Sequence, residues 1–198
     1  MTRIRNILFL IFIGMIIFPI NTVAHLASGR FGDFYAGSFH LLTAIEHLIP
    51  MIALGLLAGQ QGTKISRLMV FLIPVTLIIG TLVGIYTSGL TFSIYINSFS
   101  FLLIGGLVAL NKKLSPNLIL LIILILGITH GYSNGTAFEP TLSVFNYVIG
   151  VATTGLIIVT IFAGIALSVK KDWQKIAVRV AGSWIAAIGL ITLPMILK

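Results

Sequence analysis

The sequence predicts an all-α protein, a polytopic bundle of transmembrane helices. Three observations carry that prediction. Of 198 residues, 58% are hydrophobic and only 8% are charged, where a soluble domain carries roughly 25% charge. The apolar residues fall in continuous runs near the ~20 residues that cross a bilayer as helix, not in the short alternating segments of a membrane barrel. The lysines and arginines fall in the short gaps between those runs, as selection for topology requires. The same composition excludes a disordered chain, which needs low hydrophobicity. Cysteine is absent, so no disulfide framework and no cysteine-ligated zinc or iron–sulfur site can form.

Residues 1–24 have the layout of a signal peptide or a first transmembrane helix. Arg3 and Arg5 precede an apolar stretch at 7–20, and Thr22 and Ala24 are the small residues before a cut. Residues 25–198 are expected to form a single six-helix transmembrane domain, with spans near 34–58, 68–86, 90–110, 117–129, 141–169 and 180–197. With the N-terminus inside, Arg3, Arg5, Lys64, Arg67, Lys112, Lys113, Lys170, Lys171, Lys175 and Arg179 collect on the cytoplasmic side. Only Arg30 and Lys198 fall outside. That bias orients the chain in a bacterial inner membrane with its positive loops cytoplasmic. The net charge of +8 is therefore a topology signal, and nucleic acid is not an expected partner; the lipid bilayer is.

The orientation puts every histidine, and Asp33, Glu46 and Glu139, in the outer half of the membrane or near its midplane. The fourth acid, Asp172, falls in a basic loop as a solvated charge. An ionisable group at bilayer depth costs several kcal/mol unless paired or hydrated, and so marks a path or a site. His40, Glu46 and His47 lie on one apolar span. On a continuous helix the two histidines share a face, two turns and about 10 Å apart. That spacing is too long for one small ion and suits successive positions on a path. Imidazole favours nickel, copper, iron or zinc, and a carboxylate adds a hard ligand.

His130-Gly131 ends the short apolar run at 117–129. It fits either a glycine C-cap beside a surface histidine or an unwound stretch lining a cavity. His25 becomes the mature N-terminus if the chain is cut after Ala24, and its amine and imidazole can then chelate together; otherwise it is a loop histidine. Asp33 is either an entry ligand or a helix cap. Asn97, Ser98, Ser100 and Asn146 are neutral polar groups expected to bond between helices, with Asn146 the first candidate to line a path. Gly55/Gly59, Gly80/Gly84 and Gly127/Gly131 have the small-xxx-small spacing of close helix packing. No nucleophile–base triad, phosphate loop or metalloprotease motif is present, so there are no candidate catalytic residues and the chain is not expected to be an enzyme.

The stretch His40-Leu41-Leu42-Thr43-Ala44-Ile45-Glu46-His47-Leu48-Ile49-Pro50-Met51, with Gly55 beyond it, resembles the first intramembrane motif of the HupE/UreJ family. That motif is a histidine, five residues and Asp-His, with a methionine and a glycine further on. Val23-Ala24-His25 resembles the family's signal cleavage and near-terminal histidine. His130-Gly131-Tyr132-Ser133-Asn134-Gly135 resembles its second motif, His-Gly-x-x-His-Gly with an acid close behind. The chain departs from the pattern at Glu46 (aspartate in the family), Asn134 (histidine), Leu41 (proline) and Glu139, which is displaced from the usual acid position.

The resemblance implies a nickel or cobalt permease linked to hydrogenase or urease maturation, with His40, His47 and His130 on the metal path. Together, residues and resemblance predict a membrane permease for a divalent transition metal. Nickel ion is the expected substrate, with cobalt, copper or zinc as alternatives. The expected metal residues are His40, Glu46, His47, His130, His25 and Asp33. Two other classes fit the same residues. One is a haem-binding subunit with His40 and His130 as axial ligands. The other is a non-catalytic accessory subunit of a larger membrane complex, with a membrane-protein partner or a second copy of the chain.

Overall fold

The computed structural model describes residues 32–87 and 92–196, and every regular element among them is a helix. Residues 1–24, His25 and Arg30 lie outside the described residues. The helices are α1 (Asp33–Thr43), α2 (Ile45–Gln61), α3 (Thr63–Tyr86), α4 (Phe92–Leu110), α5 (Pro116–Thr136), α6 (Val144–Ser168) and α7 (Asp172–Ile196). By length and composition α3, α5, α6 and α7 can each cross a membrane, and α1 with α2 makes one further span bent by 77°. The described part of α4, Tyr95–Leu110, is apolar but shorter. The outer surface suits lipid: Phe71 is 70% exposed and Trp184 is 74% exposed, which in water would form adhesive patches.

The helices begin where local chemistry lets them. Ser115 caps α5 by accepting from the Leu118 N–H at 3.3 Å, with Pro116 at the first position, where its missing N–H costs nothing. Ser143 caps α6 through the Asn146 N–H at 3.4 Å. Gln174 reaches back to the amides of Lys170 and Lys171, at 3.1 and 3.0 Å, and opens α7. That helix therefore starts eight residues before the expected span at 180. Asp172 stands in its first turn, paired to Lys175 at 2.9 Å, and not in a loop.

In lipid, helices gain little from hiding apolar groups from water, and association rests on close packing. Glycines supply it. Gly80 lies on the Ile128 carbonyl and Gly84 on that of Tyr132, while Gly131 and Gly135 lie on the carbonyls of Leu77 and Thr81. The α3–α5 seam is thus a mutual backbone contact, and Gly80, Gly84 and Gly131 serve the packing role their spacing predicts. Gly55 and Gly59 do the same for α2 against Val159 and Ala163 of α6. Gly105, Gly182 and Gly189 join α4 to α7. A core of Leu41, Met51, Leu54, Leu77, Ile104 and Val151 fills the interior.

The basic loops share one end of the bundle. Lys113 Nζ donates to the Gln60 carbonyl at 2.6 Å and Arg179 Nε to that of Ala109 at 2.8 Å. Gln61 donates to the Lys112 carbonyl at 3.1 Å and accepts from the Leu114 N–H at 2.9 Å. The opposite end holds Asp33, whose carboxylate accepts from the Ser143 N–H at 2.9 Å, and the Glu139 turn. Among the described residues, the basic loops thus lie at one end of the bundle, and Asp33 and Glu139 at the other.

Candidate functional site

The first motif does not lie on one continuous helix. Ala44 has ψ 100° and serves as C-cap of α1 and N-cap of α2. Its N–H closes onto the His40 carbonyl at 3.0 Å, and its own carbonyl accepts from the amides of His47 and Leu48 at 2.8 and 3.0 Å. Each side of the break thus ends in its own hydrogen bonds. No side chain caps the start of α2, but Glu46 stands in its first turn, where a negative charge complements the helix dipole. Pro50 lies within α2 and removes a backbone donor just past the break.

The break corrects the spacing expected from sequence. Instead of standing two turns apart, the rings of His40 and His47 meet with centroids 5.6 Å apart. A straight helix would hold them about 10 Å apart along its axis; the 77° bend folds one over the other. His130 joins them from α5, its ring 5.6 Å from that of His47 and nearly perpendicular at 87°. Helix α5 runs unbroken through His130-Gly131 to Thr136. His130 is therefore neither a C-cap nor part of an unwound stretch, but fully buried in the helix interior. Gly131 continues the helix because it faces α3, where a Cβ would lie 2.5 Å from the Leu77 carbonyl oxygen.

The buried polar contacts form a chain. His47 Nδ1 lies 3.3 Å from His130 Nδ1, and His130 Nε2 lies 2.9 Å from Ser100 Oγ on α4. Ser100 donates to the Asn97 carbonyl at 2.6 Å, and the Asn97 amide donates to Ser133 Oγ at 2.6 Å. On the other side, His47 Nε2 faces Glu46 Oε1 at 3.7 Å; His47 is 1% exposed and the Glu46 side chain 71%. The site thus runs from an exposed carboxylate to a fully buried serine. Asn134 donates to the His130 carbonyl at 2.7 Å. The side-chain oxygens of Asn97 and Asn134 are buried without a hydrogen-bond partner, an arrangement that costs about 1–3 kcal/mol per group.

Of the residues singled out from sequence, His40, Glu46, His47 and His130 come together. Asp33 does not join them: its carboxylate ties α1 to the head of α6 through Ser143, and it caps that neighbour, not its own helix. Asn146, expected to line a path, is exposed in the first turn of α6. Sequence alone places Ser100 with the interhelical polar residues and not with the site. The one signal is its position three residues after Asn97, which puts both on one face of α4. Among the described residues, no group of three or more histidines or acids stands close enough to hold a metal ion as arranged.

The match to the family model described as HupE / UreJ protein covers residues 13–192. The chain belongs to the HupE/UreJ family. One similar protein is Protein HupE of Rhizobium leguminosarum bv. viciae, 26% identical over 174 residues, covering 85% of this chain and 88% of that one. No solved structure matches. The HupE/UreJ family is generally associated with nickel and cobalt transport, and the clustered histidines belong to the two stretches that resemble its motifs.

Proposed function

We propose that this protein is a permease for a divalent transition metal, with nickel ion as the first substrate and cobalt, copper or zinc as alternatives. One observation carries the proposal: the break at Ala44 brings His40, His47 and Glu46 to one place beside His130. Neutral imidazoles and a carboxylate form a donor set for borderline metals. A broken span is how many transporters build a midplane cation site.

A permeation site must also release its ion, so it binds by weak and successive contacts. The spread of the donors fits that need better than a closed structural site would. In this scheme His25 and the second oxygen of Asp33 meet the ion at the outer mouth. His40, Glu46 and His47 then take it inward, with His130 directly behind. The basic end faces the cytoplasm of a bacterium and the acidic end faces out. The haem alternative gains no support, because both ring nitrogens of His130 are engaged by neighbours.

The test is nickel accumulation in cells expressing the full chain. His47→Ala is expected to reduce nickel-dependent uptake to the level of cells lacking the protein. Wild-type uptake by that variant refutes the route. Co-purification of a stable partner together with nickel-independent behaviour would favour the accessory-subunit alternative.

A further inference from the structure

We infer that Ser100 is a positioning residue that fixes the protons of the buried imidazole pair, so that His47 presents an unprotonated Nε2 beside Glu46. The inference rests on the permease proposal only for what that nitrogen receives.

Each proton in the chain decides the next. A serine hydroxyl has a single proton, and Ser100 gives it to the Asn97 carbonyl at 2.6 Å. Toward His130 Nε2, 2.9 Å away, Ser100 is therefore an acceptor, and that nitrogen must carry the N–H. In a neutral imidazole the other nitrogen is then a lone pair, so His130 Nδ1 accepts. Its neighbour at 3.3 Å is His47 Nδ1, which must donate. His47 is thereby protonated on Nδ1 and bare on Nε2. That bare nitrogen lies 3.7 Å from the Glu46 carboxylate, beyond hydrogen-bond length, so no proton is needed between them.

The reverse pattern takes the Ser100 proton away from its short contact with the Asn97 carbonyl. The pattern that starts from the Ser100 proton satisfies every short contact along the way. It also has a general precedent in form: a metal-ligating histidine is oriented by the acceptor on its other nitrogen. Here that acceptor is a second imidazole, held in turn by a serine on a third helix. Asn97 is itself held by Ser133, so the proton pattern is anchored in both α4 and α5.

The experiment is nitrogen NMR of the histidine rings in the full chain, labelled and reconstituted in lipid nanodiscs without metal. The expected spectrum shows His47 as the Nδ1–H tautomer and His130 as the Nε2–H tautomer; the opposite assignment for either ring overturns the inference. In Ser100→Ala, the single pattern should give way to mixed tautomers at both rings. An unchanged spectrum in that variant removes Ser100 from the role, and the unmodified chain alone decides the tautomers if the variant does not fold. Zinc ion, a diamagnetic probe, should shift His47 Nε2 and leave His130 Nε2 in place. If the tautomers are as stated and zinc moves neither ring, the proton relay stands and the permease proposal falls.

Discussion

Between α3 and α5, glycine lies on carbonyl turn after turn, and both helices continue unbroken through the contact. Between α1 and α2 the chain stops at Ala44 and turns by 77°. Both regions border the same histidines. The seam is made of residues with no side chain and tolerates nothing added; the elbow is made of residues whose side chains are the point. Helix α5 belongs to both, laying Gly127, Gly131 and Gly135 toward α3 and carrying His130 and Asn134 in the buried polar cluster. Rigidity on one side of a helix thus holds chemistry on the other.

If that division is right, substitutions in the two regions separate stability from transport. The largest expected effect is Gly131→Leu: a Cβ there meets the Leu77 carbonyl oxygen at 2.5 Å and Gly80 Cα at 3.0 Å. Overpacking a backbone seam should cost about 3 kcal/mol and remove most folded protein from the membrane, read as the unfolding midpoint in detergent. A wild-type midpoint would show that the seam does not hold the fold. His47→Ala should do the converse, losing uptake while keeping a folded protein, at a cost of about 1–3 kcal/mol for the partner left unsatisfied.

Charge substitutions sharpen the same contrast. Glu46→Gln should weaken half-saturation by only about two- to fivefold, because an exposed charge is screened and worth ~0.2–1 kcal/mol. Asp172→Asn should leave both uptake and melting at wild-type values, since its partner Lys175 is itself half in solvent.

Much of this was legible in the sequence because lipid imposes simple rules. Long apolar runs become helices, since backbone polar groups have no other partner there, and α3 and α6 fall close to the runs that predicted them. The histidines and Glu46 stand out because ionisable groups at that depth are rare. The elbow was not legible. Ala44 carries none of the usual breaking residues, and Pro50 lies six positions beyond it, so the periodicity of an unbroken helix misplaced His40 against His47. The role of Ser100 was hidden for a different reason. It depends on which helices face each other, and the polar face of α4 does not name its partner helix. The tie from Asp33 to Ser143 was not legible either, because a carboxylate advertises charge and not the amide it will bind across 110 residues.

One helix, α6, grips both arms of the elbow. Gly37 on α1 lies against the Tyr147 carbonyl, and Gly150 on α6 lies against that of Phe34. Further along, Gly55 and Gly59 on α2 press on Val159 and Ala163 of the same helix. The angle between the arms is therefore templated from outside, by the interval between two clasps on a single rod. Any swing of the arms has to carry that rod with it or undo one clasp first.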